Sequence, residues 1–124
     1  MSRLRKGEGL SRRLLRFAVR STSVCGELPK SYLGKHVAKQ LTRSGTSGGA
    51  NYEEARSAES RTDFAHKAAI AGKEVRESVY WLRLICEGQL LPAQDLAPLI
   101  QEGNELVAIL RSSAKTAKNG KREP

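Results

Sequence analysis

The chain is poor in the residues that announce a secreted protein, a metalloprotein or a membrane protein. It has one tryptophan, three tyrosines and two phenylalanines in 124 residues, so any core must be filled mainly by Leu, Ile, Val and Ala. Its two cysteines, Cys25 and Cys86, are far apart in sequence. That usage excludes a disulfide framework, and neither thiol belongs to a CxxC or Cys/His metal pattern. Reduced thiols in a cytoplasm fit better, each packing as a small hydrophobe beside a core-facing position. No apolar run approaches the roughly 20 residues of a membrane span. The stretch Ser11-Arg12-Arg13-Leu14-Leu15-Arg16-Phe17 has the arginine pair of an export signal. Arg16, Arg20 and Glu27 interrupt the apolar run that such a signal requires. Strand-like alternation is also missing throughout.

Positive charge is what the chain has in excess, and it is unevenly placed. The net charge is +9. Residues 1–20 hold seven Lys or Arg against Glu8, and residues 111–124 hold five against Glu123. The middle, 21–110, has ten basic and eleven acidic residues. Basic ends on a near-neutral body suit an anionic partner, RNA or DNA before a membrane, because no wide apolar face accompanies the charge. The same ends would also serve solubility alone.

Four apolar seams run along the chain at alternating three- and four-residue steps, the spacing of amphipathic helices. The first is Leu10, Leu14, Phe17, Ser21, Val24 and Leu28, and Pro29 stops it. Ser31 caps a second, with Leu33, Val37, Leu41, Ser44, Gly48, Asn51 and Ala55 on its seam. Ser60, followed by Asp63, opens a third through Phe64, Ala68, Ala71, Val75, Ser78, Leu82 and Ile85. Gly88 and Pro92 mark a turn, Asp95 is the expected N-cap of the fourth helix, and Pro98 is expected in its first turn. Leu96, Leu99, Gly103, Leu106 and Leu110 complete the fourth seam. These seams predict an all-α, antiparallel up-down four-helix bundle over 9–113, with flexible basic segments at 1–8 and 114–124.

The stretch QLTRSGTSGGANYEEA, residues 40–55, decides how the second helix is read. Each glycine costs about 1 kcal/mol against alanine inside a helix. The unbroken spacing from Leu33 to Ala55 nevertheless favours a helix whose small residues admit another backbone closely. A phosphate-cradling loop fits poorly, since GTSGGA lacks the GxxxxGK[ST] pattern and follows no strand.

Candidate chemistry is thin. A carboxylate metal site would need Glu-x-x-His pairs, and neither His36 nor His66 stands three residues after a glutamate. Glu102 and Glu105 add carboxylates on the fourth helix but no histidine. Ser44 and Ser47 have no histidine placed to activate them. No metal, cofactor or catalytic residue is therefore expected, and Glu54, Glu74 and Glu77 are expected to pair with Arg43, Lys67, Lys73 or a neighbouring subunit. Tyr80 and Trp81 point about 100° apart on a helix, which suits one ring facing the core and the other a subunit interface. Base stacking is the weaker alternative, because aromatic platforms for single strands usually line a basic groove and only Arg76 and Arg83 are close. Arg12, Arg13, Arg16 and Arg20 lie on the first helix, the last three in one stripe. Such a stripe can follow a phosphate backbone, and Lys115, Lys118, Lys121 and Arg122 would add a flexible second contact. No helix-turn-helix, zinc finger or RNA-recognition signature is present.

At this point the chain resembles the small four-helix-bundle proteins first associated with intervening sequences in 23S ribosomal RNA genes. The resemblance lies in QLTRSGTSGGANYEEA followed by S…DF…K…A…E…E…YWLRLI, with Leu28-Pro29 before it and a Leu-rich helix after, over roughly residues 10 to 115. The pattern maps onto Gln40, Arg43, Ser44, Asn51, Glu54, Lys67, Glu74 and Glu77, read as a register and assembly network. Gly48 departs from it, standing where relatives often carry Val or Ile, a change expected to weaken local packing. The resemblance implies a bundle that assembles into a ring, typically a homopentamer, in a bacterial cytoplasm, with no established enzyme activity. A related branch, the accessory proteins of diversity-generating retroelements, is understood to bind RNA and a reverse transcriptase. The leading expectation is a non-enzymatic oligomer binding RNA or DNA through its basic ends. The alternative is a structural or protein-interaction scaffold with no nucleic-acid ligand.

Overall fold

The computed structural model describes residues 7–120. They form four helices in chain order: α1 (Glu8–Glu27), α2 (Tyr32–Arg56), α3 (Arg61–Glu87) and α4 (Ala93–Lys118). Each helix packs on the next, and α4 returns to α1. With connections of only a few residues, this is the expected antiparallel up-down bundle. The seam between α1 and α4 is the thinnest of the four.

Local sequence explains the boundaries. Leu28 leaves α1 in extended backbone ahead of Pro29, whose ring disfavours helical geometry in the residue before it. Ser31 and Ser60 cap α2 and α3, accepting from the N–H groups of Gly34 at 3.1 Å and Asp63 at 3.0 Å. The start of α4 differs from expectation. Pro92 occupies its N-cap position, and Asp95 lies within the first turn, where a carboxylate complements the helix dipole without capping. Pro98 consequently sits in the second turn. It deprives the Gln94 carbonyl of its helical donor, and both residues are exposed, so water can serve that oxygen. The far end of α4 runs past residue 113 through Lys118 because its apolar side continues: Ala114 packs against the core and Ala117 is buried.

The core follows the seams closely. Leu14, Phe17, Val37, Leu41, Ala68, Ala71, Val75, Leu82, Ile85, Leu96, Leu99, Leu106 and Leu110 are all buried. Each fully buried Leu, Ile or Phe contributes about 1.5–3 kcal/mol relative to exposure. Leu33 departs from its seam and is 43 % exposed, its inward place being taken by Gly34, which lies against the Pro29 carbonyl.

Residues 40–55 are continuous α-helix, so GTSGGA is a packing surface and not a loop. Gly48 does not weaken its surroundings as expected. A Cβ there would stand 2.6 Å from Val75 Cγ2, so the missing side chain is what admits α3. One turn along α3, Val79 meets α4 in the same way. A Cβ on Gly103 would lie 2.6 Å from Val79 Cγ2 and 3.1 Å from the Phe17 ring. Ser21 is fully buried where α1 meets Gly45, and its hydroxyl has no hydrogen-bond partner among the described residues.

Two stability changes follow, both readable by urea unfolding. Gly103→Ala should destabilise by about 1–2 kcal/mol, overpacking outweighing the gain in helix propensity, and Val79→Ala in the same chain should recover part of the loss. Ser21→Ala should stabilise by about 1 kcal/mol, because it removes an unsatisfied buried hydroxyl and improves helix propensity.

Candidate functional site

The up-down topology gathers one end of every helix into each pole. At the pole where α1 begins, α2 ends, α3 begins and α4 ends, Gly7 lies beside Tyr52 and Arg56. Arg61, the first residue of α3, donates to the carbonyl of Gly120. Gly7 and Gly120, the first and last described residues, are therefore both at this pole, and residues 1–6 and 121–124 lie outside the described residues. Those segments carry Arg3, Arg5, Lys6, Lys121 and Arg122. Lys121 and Arg122 lie outside the described residues. Lys115 and Lys118 are exposed on the last turns of α4.

Along α1 the arginines divide into two kinds. Arg13 is half-buried and reaches α4, giving two hydrogen bonds to Glu102 at 2.9 and 2.7 Å and one to Glu105 at 2.9 Å. This fork joins the two most thinly packed helices. Arg12 pairs with Glu8 one turn away at 3.5 Å. Arg16 and Arg20 are exposed and form no ion pair among the described residues. The expected stripe of Arg13, Arg16 and Arg20 thus has its first member committed to structure. Glu102 and Glu105, three residues apart on α4, carried the signal, but helical spacing alone does not say which arginine of α1 faces them.

The hydrogen bonds from Arg13 hold the Glu102 carboxyl below its ordinary value of 4.5. The positive charges of Arg13, Arg20 and Arg16 act in the same direction, and partial burial opposes them. Arg13 is correspondingly pushed up, first by its bond to Glu102.

A second polar group joins α2 to α3. Arg43 donates to Glu74 at 3.1 Å and also to Glu77. Glu77 accepts from the Trp81 indole at 3.0 Å. That bond, followed by Arg43, keeps the Glu77 carboxyl below its ordinary value. Beneath this surface layer the Ser44 and Ser78 hydroxyls lie 2.9 Å apart in the core, and Ser78 also donates to the Glu74 carbonyl. Asn51 donates to the Ser47 carbonyl and hydroxyl on its own helix. Lys67 pairs at 3.7 Å with Asp63, also within its helix, so it does not meet the glutamates expected as its partners. Glu54 and Lys73 are exposed and make no ion pair among the described residues, and Gln40 is half-buried. The expected set is therefore brought together only in part: Arg43, Glu74, Glu77, Ser44 and the unforeseen Trp81 indole form one group. Tyr80 and Trp81 divide as helix geometry requires, Trp81 half-buried and Tyr80 58 % exposed.

Among the described residues, no group of three or more His, Cys, Asp or Glu side chains is placed to hold a metal. Cys25 and Cys86 are both half-buried, and burial pushes both thiols up. Neither has the depressed pKa of a reactive cysteine. Among the same residues no helix is long and apolar enough to cross a membrane.

A family model for the 23S rRNA-intervening sequence protein matches residues 11–112. The chain belongs to this family. The match begins in the first turn of α1 and ends within α4, so it takes in part or all of each helix of the 23S rRNA-intervening sequence bundle described above. The crystal structure of a Bacteroides thetaiotaomicron protein of unknown function from the S23 ribosomal protein family is similar to it. The two are 36 % identical with a TM-score of 0.80, over 86 % of this chain and 99 % of that one. A comparison with curated proteins found no match.

The Arg13 fork makes stability acid-sensitive in a defined direction. Because the folded-state pKa of Glu102 is depressed, the native state binds fewer protons than the unfolded chain. The contribution is complete above about pH 5 and is lost as pH falls through 4.5 and below. Arg13→Gln should lower stability at neutral pH by about 1 kcal/mol, the scale of a partly exposed pair. It should also flatten the decline below pH 5, measured by urea midpoints across that range.

Proposed function

We infer that this protein is a non-enzymatic, oligomeric accessory protein that binds RNA or DNA through a basic pole. The observation that supports this reading is that the first and last described residues, Gly7 and Gly120, lie at one end of the bundle, where Lys115 and Lys118 are exposed on the last turns of α4. Charges separated by most of the sequence act there as one field, and a focused positive field attracts a polyanion far better than scattered cations do. Lys115, Lys118, Lys121 and Arg122 supply one part of the contact. Arg12, Arg16 and Arg20 extend it up α1 at steps of about 6 Å. Arg13 belongs to the same helix face and holds that face in place through Glu102 and Glu105.

Following what the resemblance implies, we take the protein as bacterial and cytoplasmic and as assembling into a ring, a homopentamer, which would multiply the pole several-fold and make binding steeply dependent on salt. Gln40, Arg43, Ser44, Asn51, Glu54, Lys67, Glu74 and Glu77 are the residues we assign to register and assembly. Should the chain belong to the retroelement branch, a reverse transcriptase is the further partner. The second reading, a protein-interaction scaffold without nucleic acid, is favoured by one observation. The Arg43–Glu74–Glu77 group is half exposed on the α2–α3 surface beside Trp81, a composition frequent at protein interfaces.

A salt-titrated mobility shift separates the two readings. The full chain should retard RNA or DNA at low salt and release it steeply as salt rises. Reversing Arg3, Arg5, Lys6, Lys121 and Arg122 to glutamate should weaken binding and flatten the salt dependence. Absence of any shift at low salt would remove the nucleic-acid reading, and light scattering at monomer mass would remove the ring.

A further inference from the structure

We propose that the outward ridge of α3 is a second contact for single-stranded nucleic acid, leading from the basic pole to a base-stacking tyrosine. This inference rests on the nucleic-acid reading above and assigns it a surface. Between Thr62 and Arg83, the exposed positions of α3 recur at alternating four- and three-residue steps, the outermost line of the helix. His66, Lys73, Arg76, Tyr80 and Arg83 lie on it. The other two, Thr62 and Ala69, are small and uncharged, and the first acidic residue on the line is Glu87, at the end of the helix.

Lys73, Arg76 and Arg83 form no ion pair among the described residues, so their charge is available. The acids facing α2, Glu74 and Glu77, are already occupied by Arg43. The ridge is about 30 Å long, its three free cations occupy the roughly 15 Å from Lys73 to Arg83, and Arg61 places its lower end at the basic pole.

Tyr80 gives the row a chemistry that charge alone lacks. Its ring is 58 % exposed and stands edge-to-face with Trp81, their centroids 5.1 Å apart. Trp81 is itself fixed by its indole bond to Glu77 and by an edge contact with His36 at 5.7 Å. An exposed ring buttressed by an immobilised one keeps a face available at small entropic cost. Aromatic faces set among backbone-tracking cations bind single strands with little sequence preference, because every base offers a π-face. Duplex, whose bases are already stacked, gains nothing from Tyr80. A second copy presenting the same cationic ridge would be repelled.

The test titrates the full chain with a labelled oligouridylate and a labelled oligothymidylate, each long enough to follow the ridge, across a range of salt. Binding is read by anisotropy and by the fluorescence of Trp81, the sole tryptophan. Either oligomer should change the Trp81 signal as it binds, and the tighter of the two identifies the sugar preferred. Tyr80→Ala should weaken binding about ten-fold with the salt slope unchanged. The combined Lys73→Glu, Arg76→Glu and Arg83→Glu variant should weaken it at least about ten-fold and reduce the slope by about two. Helicity by circular dichroism and mass by light scattering should match the parent. Unaltered affinity and slope in both variants, while charge reversal at the pole still weakens binding, would overturn the ridge and leave the proposed function standing. A change of oligomer size in these variants would make the ridge a protein interface and overturn it too. If neither oligomer binds the parent chain, both readings fall.

Discussion

The bundle depends on how closely α3 approaches the helices on either side. Val75 and Val79, one turn apart, enter spaces that exist only because Gly48 on α2 and Gly103 on α4 have no side chains. In a chain with six aromatics, there are few large groups to bridge wide gaps between helices. Close backbone approach replaces bulk, and dispersion contacts at short range make up for the area that large rings would have buried. The glycines lower helix propensity, an effect of about 1 kcal/mol each, and packing across three adjacent helices offsets it.

With the backbones drawn together, the polar groups above the core take up fixed roles. Arg43 bridges α2 to α3 through Glu74 and Glu77, and Arg13 bridges α1 to α4 through Glu102 and Glu105. Both are forks of one arginine onto two carboxylates. Partly exposed pairs of this kind add modest stability, and they also favour one register, since sliding either helix by a turn would leave one of the two acids unpaired. The thin α1–α4 seam makes the Arg13 fork the more consequential of the two. It also removes one cation from the charge that α1 presents to a partner.

Much of this was legible in the sequence. The four seams, the caps at Ser31 and Ser60 and the stop at Pro29 are local signals, set by periodicity and by which side chains can bond a helix end. The link between Arg43 and Glu74 or Glu77 was also accessible, because helices joined by a short turn must lie side by side. The start of α4 was misread at Asp95, since a carboxylate in the first turn and one at the cap leave similar traces in a sequence. Gly48 was misread for a different reason: whether an absent side chain is a gap or a fit depends on Val75, twenty-seven residues away.

The sequence by itself determined the helices, their inward faces and the family, because all of these are written in spacing and residue type along one dimension. Tertiary structure alone decided which charges are spent and which are free. It committed Arg13 to Glu102, left Arg16, Arg20, Lys73, Arg76 and Arg83 unpaired among the described residues, and placed the attachment points of both basic ends at one pole. The physical reason is that Coulomb interactions act through distance in space and not along the chain. In an up-down bundle, residues at opposite ends of the sequence become neighbours.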